Sequence, residues 1–180
     1  MKHLPTTDSM QRIQNSLRTL KLSTIATILD EELARAAQSA TPSTELLERL
    51  LSAEADALIQ RRIERRINES KLPERKLLTD FDFNFQKGID KTQIMELAKL
   101  DFIQRKQGLI IAGNSGTGKS HIAQALGHEA VRHGYDVLFT TQSRLLGQLQ
   151  QARATQTFER RFQALVRVLL LLIDDFGLKP

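Results

Sequence analysis

Apolar residues recur at three- and four-residue steps through about the first seventy positions, a stretch without glycine. Leu22, Ile25, Ala26, Leu29 and Leu33 share one face of a 3.6-residue period, so a helix is expected there. Ser39 to Glu45 interrupts the pattern with Pro42 and small polar residues, a turn with Ser43 or Thr44 as N-cap. A second helix is expected from about Glu45 to Ser70, with Leu47, Leu51, Ala55, Ile59, Ile63 and Ile67 as its apolar face. Late in that helix come Arg61, Arg62, Arg65 and Arg66. Four arginines suit a phosphate backbone; they equally suit a solvated face near a helix C-terminus.

The pattern changes after about residue 70. Phe81, Phe83 and Phe85 alternate with polar residues and predict a short extended segment. Docking on the next domain is its expected role; covering a bound base is the other. Strands and helices then alternate. Asp90, with Gln93 as capping-box partner, opens a helix expected to reach about Arg105. Leu109 to Gly113 reads as a short apolar strand. Lys119 to His133 reads as a helix ended by Gly134. Tyr135 to Thr141 reads as a strand, Ser143 as the cap of a helix, and a further helical stretch holds Phe158 and Phe162. Val166 to Asp174 closes the series as a strand. Such alternation predicts an α/β fold, a parallel sheet covered by helices, behind an N-terminal helical region. The expected domains are residues 1–75 and 76–180.

Composition narrows the class. Hydrophobic residues make up 41% and charged residues 26% of 180 positions, values normal for a globular protein. The absence of cysteine excludes disulfides and thiolate metal sites and fits a reducing, cytoplasmic setting. Residues 1–9 are polar, so no signal peptide is expected. Val168 to Ile173 is far too short to span a membrane. His3, His121, His128 and His133 lack the i, i+4 pairing that favours a metal, and read as surface or packing residues. A net charge of +5 permits nucleic-acid binding without requiring it.

The most specific chemistry lies in GNSGTGKS: Gly113, Asn114, Ser115, Gly116, Thr117, Gly118, Lys119 and Ser120. It fits G-x-x-x-x-G-K-[ST] between an expected strand and an expected helix, the context that the motif demands. The glycines let the backbone turn so that successive N–H groups point at an anion. The helix N-terminus adds its positive dipole end. Lys119 supplies a mobile charge for the β- and γ-phosphates, and the Ser120 hydroxyl a hard oxygen for Mg²⁺. The expected ligands are therefore ATP and Mg²⁺.

The run VLLLLIDD completes the expected site. Buried parallel strands read as continuous aliphatic runs, and their C-terminal ends converge on the ligand crevice. Asp174 is expected to hold the Mg²⁺ that Ser120 ligates. Asp175 is expected to orient or deprotonate the attacking water, and with Lys119 makes up the candidate catalytic set. Alone, Asp-Asp-Phe-Gly would be only a turn.

GNSGTGKSHIAQALGHEAVRHGYDVLFTT, together with LLLLIDDFGL and the FDFNFQKGIDKTQIMELAKLDFI segment ahead of the loop, resembles the IstB-type ATPases, helper proteins of one class of bacterial insertion sequences. The resemblance covers nearly the whole chain. It implies a P-loop AAA+ ATPase related to DnaC-type helicase loaders, one that binds ATP, assembles as a homo-oligomer on double-stranded DNA and directs a partner transposase. The N-terminal helices would serve DNA binding and assembly, and no membrane is involved. It also implies further residues after Pro180: a polar sensor strand between the acidic strand and the phosphate-loop strand, and an arginine that reaches a neighbour's ATP. On that reading the chain is a truncated copy with an incomplete sheet, equipped to bind ATP but without the arginine that hydrolysis uses. A DnaC-like helicase loader and a non-catalytic remnant are the alternative readings.

Overall fold

The computed structural model describes residues 7–83 and 88–177. The chain divides into two compact units, residues 1–62 and 63–180. The division falls inside one long helix.

In the first unit, α1 (Thr7–Thr19), α2 (Ser23–Gln38) and the first part of α3 (Ser43–Ser70) pack around Leu17, Ile25, Leu29 and Leu50. Met10, Leu22, Ala26, Leu33 and Leu46 surround that core. The helical reading of this region holds, but the expected face of α3 does not. Leu46 and Leu50 turn inward, while Leu47, Leu51 and Ile59 stand more than half exposed. The sequence offers two apolar rows with the same four-residue step, and periodicity alone does not choose between them. A polar contact does. Oε2 of the buried Glu54 accepts from the N–H groups of Thr24 (2.7 Å) and Ile25 (3.0 Å), capping α2 from a different helix. Arg61 in turn donates to Glu54 Oε1 at 2.7 Å and to Ser23 Oγ at 2.8 Å. Four N–H groups at a helix start lack intrahelical partners, and Leu22 at the α2 N-cap supplies no side-chain acceptor. Glu54 fills that need, which draws the 46–50–54 row inward.

The second unit holds a two-stranded parallel sheet, β1 (Val137–Thr141) and β2 (Leu170–Asp174), in register from Val137 opposite Leu170 to Thr141 opposite Asp174. α6 (Lys119–Arg132) lies against it. Leu100, Ala130, Val131 and Val137 form one core, joined by Ile63, Ile67, Leu72, Leu170 and Leu172. At Gly127 α6 lies close against β2: a Cβ there would lie 2.6 Å from Leu172 Cδ1. Between the strands run α7 (Gln142–Ala154) and α8 (Phe158–Val166), where the rings of Phe158 and Phe162 stack at 5.8 Å. The helix-covered parallel sheet is that of a P-loop NTPase fold.

Several expected boundaries move. Leu109 to Gly113 is not a strand; it has no ladder partner among the described residues, and Ile110 is 90% exposed. A strand is defined by its pairing, so an apolar run without a partner stays irregular. The helix from Asp90 does not continue to Arg105 but breaks into α4 (Lys91–Leu97) and α5 (Asp101–Gln104). Asp90 caps α4 as expected, accepting from Thr92 and Gln93 N–H. The break lies at Leu100, left-handed at φ 64° and almost completely buried; packing of that side chain overrides the helical preference. Thr141, not Ser143, caps α7 by accepting from Arg144 N–H. β2 begins at Leu170 because α8 takes the residues up to Val166.

Candidate functional site

The loop Gly113–Ser120 leads into α6, whose N-cap is Gly118. Gly116 and Gly118 have φ of 78° and 83°, a region costly for any residue with a Cβ. Gly118 has a second constraint: a Cβ there would lie 2.5 Å from Phe81 Cε2. The carbonyl of Asn114 accepts from Lys119 Nζ at 2.6 Å and from Thr117 Oγ1 at 2.9 Å. The lysine charge is thus held by the loop's own backbone. The first turn of α6 carries no acidic side chain, so its positive dipole end favours an anion.

Ser120 is the second residue of α6, and Asp174 the last of β2. Ser120 Oγ donates to Asp174 Oδ1 at 3.0 Å, and the same oxygen accepts from Asp175 N–H at 3.0 Å. The structure therefore brings together the two expected metal-site residues. One hydroxyl and one carboxylate, with no nitrogen or sulfur donor between them, suit a hard cation such as Mg²⁺, which keeps waters and takes phosphate oxygens for its other positions. Asp175 stands apart. Its φ of 55° is left-handed, it is exposed, and its carboxylate makes no hydrogen bond or ion pair among the described residues. The turn it occupies is tied to the start of α7, where Gly177 N–H donates to Gln142 Oε1 at 2.6 Å.

Sequence reasoning missed the strap that backs this loop. Residues 72–83 pass over α6, with a 3-10 turn at Leu78–Asp80. His128 Nε2 donates to the Glu74 carbonyl at 2.7 Å, and His121 Nε2 to the Leu77 carbonyl at 3.0 Å. Phe81 meets Phe83 and His121 edge to face, at 4.8 and 5.3 Å. Both phenylalanines pack with Ile94, Ile122 and Leu126. The docking role expected for this segment holds for Phe81 and Phe83; Phe85 and His3 lie outside the described residues. The i, i+7 spacing of His121 and His128 was the available signal, since it places both on one helix face. A cleft of about 340 Å³ along α8, lined by Glu159, Arg160, Gln163, Ala164 and Arg167, shares no residue with the loop. The loop site is defined by its backbone and donors rather than by a deep cavity.

Of the four arginines late in α3, three are engaged within the chain. Arg61 pairs with Glu54 at 2.7 Å, Arg65 with Glu69 at 3.8 Å and Arg66 with Asp136 at 3.4 Å. No helix among the described residues is long and apolar enough to cross a membrane.

Residues 15–180 match the family described as IstB-like ATP binding protein. The chain is 36% identical over 171 residues to a Pseudomonas aeruginosa protein named as an ATP-binding protein of insertion sequence IS21, covering 95% of this chain and 64% of that one. It is 39% identical over 134 residues to the counterpart named for IS5376 in Geobacillus stearothermophilus, covering 74% and 53%. It is 34% identical over 177 residues to an IS21-like counterpart in Bacteroides fragilis, covering 96% and 89%. The chain thus spans less than two thirds of the length of the first two relatives. With the loop, the acidic strand and nearly the whole sequence aligned to such proteins, the chain belongs to the family of IstB-like ATP binding proteins.

Proposed function

We propose that the chain binds Mg²⁺–ATP at Gly113–Ser120 and serves as the ATP-binding helper of an insertion sequence, acting on double-stranded DNA and directing a partner transposase. The observation that carries this reading is the Ser120–Asp174 hydrogen bond, which sets a hydroxyl and a carboxylate at the base of a phosphate-loop helix. Loop N–H groups and the α6 dipole would hold the phosphates. Lys119 would exchange the Asn114 carbonyl for phosphate oxygen. Ser120 and Asp174 would hold Mg²⁺, which offsets phosphate charge when bound. Asp175, exposed and without a partner among the described residues, would accept or orient a proton of attacking water if the site turns over. The names of the relatives support the ATP and insertion-sequence parts of this reading.

For DNA, the net charge of +5 over the whole chain supplies the attraction. Arg62 is the one of the four late α3 arginines with no partner among the described residues.

The decisive experiment is a titration of the full chain with ATP and Mg²⁺, with Lys119→Ala as control. Saturable binding that the variant loses is expected; no saturable binding by the parent chain would refute the proposal. Duplex binding that weakens with added salt and ATP-dependent capture of the transposase test the other two parts. Capture of a replicative helicase in place of the transposase would overturn the assignment of partner.

A further inference from the structure

The strap follows α6 in the opposite direction and ends on its N-cap. Leu72 lies against Gly127, the Glu74 carbonyl meets His128, the Leu77 carbonyl meets His121, and the Phe81 ring reaches Gly118. Positions 118, 121 and 128 share one face of the helix, at steps of three and seven. The last of these contacts falls on the phosphate loop.

The loop's glycines differ in what surrounds them. A Cβ at Gly116 would meet nothing within 4 Å, and one at Gly113 would meet Thr117 and Lys119, side chains of the loop itself. At Gly118 it would meet Phe81, 2.5 Å from Cε2 and 2.9 Å from Cζ. Glycine visits both signs of φ at little cost, so a loop of glycines has many forms to choose from. A ring seated on Gly118 removes some of them. The ring is itself held: Phe83 and His121 meet it edge to face, and His121 Nε2 donates to the strap's Leu77 carbonyl at 3.0 Å. The Gly118 carbonyl accepts from Ile122 N–H at 3.0 Å, so the same glycine fixes the first turn of α6. Ligand binds more weakly in proportion as the competent form of its site is less populated.

We propose that Phe81 is a positioning residue for the nucleotide. Acting through Gly118 and braced by His121, it holds the phosphate loop in the form that receives the phosphates. The proposal rests on the reading of Gly113–Ser120 as a nucleotide site. Because Gly118 adjoins Lys119 and Ser120, the effect falls on the phosphate end of the ligand and not on the base.

Titration of the full chain with Mg²⁺–ATP and, separately, with Mg²⁺ and inorganic tripolyphosphate tests this. Phe81→Ala should raise the dissociation constant about tenfold, as when the competent fraction falls to about one tenth, and by the same factor for both ligands. His121→Ala should act in the same direction, and His121→Gln, which keeps a donor for the Leu77 carbonyl, should restore affinity. Ile94→Ala, in the same core but on α4, controls for lost packing: it should lower the melting temperature without the loss of affinity. In the ligand-free chain, Phe81→Ala should speed hydrogen exchange at Ile122 N–H relative to Leu126, one turn further on. A loss with ATP but none with tripolyphosphate would make Phe81 a platform for the base and overturn the proposal. So would an equal loss of affinity in Ile94→Ala, or an unchanged Ile122 exchange rate in Phe81→Ala. A parent chain that binds neither ligand overturns the nucleotide site itself, and this role with it, whatever the exchange rates show.

Discussion

Ser120 Oγ lies 3.0 Å from Asp174 Oδ1, although the two residues are 54 positions apart. The bond ties the first turn of α6 to the end of β2, and Asp175 N–H shares the same acceptor. Ser120→Ala should lower the stability of the ligand-free chain by about 1 kcal/mol, the usual net value of one hydrogen bond. Asp174→Asn retains a carbonyl oxygen there and should cost less. With ATP present the order reverses, because a neutral amide is a poor Mg²⁺ ligand: Asp174→Asn should lose the Mg²⁺-dependent rise in melting temperature. Asp175→Asn should keep that rise and lose turnover, if the site has any. Melting curves with and without Mg²⁺ separate these cases, and equal loss of the rise in both Asn variants would contradict the division of roles.

Gly118 is constrained by its own φ of 83° and by the Phe81 ring. Gly118→Ala should destabilise the chain by roughly 1–2 kcal/mol through the left-handed backbone alone, and more through contact with the ring. Adding Phe81→Ala removes the contact but not the backbone cost. The double variant should therefore bind nucleotide poorly even where its helical signal is intact. Normal nucleotide affinity in the double variant would show that the loop tolerates another conformation.

The glycine-rich turn into α6, the caps at Asp90 and Gly134, and the acidic strand were legible because each is a local pattern with a fixed spacing. What escaped was decided by partners distant in sequence. Nothing near Leu109–Gly113 reveals that this apolar run has no ladder partner among the described residues. Leu100 adopts a left-handed turn because of what its side chain packs against, not because of its neighbours in sequence. The two apolar rows of α3 share one step, and what selects the 46–50–54 row is the capping of α2 by Glu54, a contact with residues 24 and 25. His121 and His128 were read as surface or packing residues, and their bonds to the strap carbonyls depend on where residues 74 and 77 pass.

Gly127 sets the spacing between the phosphate-loop helix and the strand that carries Asp174. A Cβ would lie 2.6 Å from Leu172 Cδ1 and 3.2 Å from Leu72 Cδ2. Gly127→Val should destabilise by about 1–3 kcal/mol, the usual cost of overpacking a filled interior. Because Leu172 is the nearer atom, a second substitution, Leu172→Ala, should cost less in the Gly127→Val background than alone. A double-mutant cycle by thermal melting measures that coupling. Strict additivity would mean that α6 and β2 do not touch at this point.

Glu54 gives the first unit a dependence on acid. Burial alone pushes its carboxyl upward, but the Ile25 N–H, the Arg61 guanidinium and the Thr24 N–H together hold it below the ordinary glutamate value. A carboxylate whose folded pKa is depressed contributes stability above its unfolded pKa, about 4.3, and loses it as pH falls through the folded value. The amides of Thr24 and Ile25 should therefore keep their exchange protection from neutral pH down to about 4.3, and lose it below that, after correction for intrinsic exchange. Glu54→Gln should lower that protection at neutral pH by roughly 1–3 kcal/mol, since its one amide oxygen carries no charge and can serve the Thr24 and Ile25 N–H groups or the Arg61 guanidinium but not both. It should also remove the acid dependence. An unchanged acid profile in Glu54→Gln would place the titrating group elsewhere and leave the cap of α2 to some other acceptor.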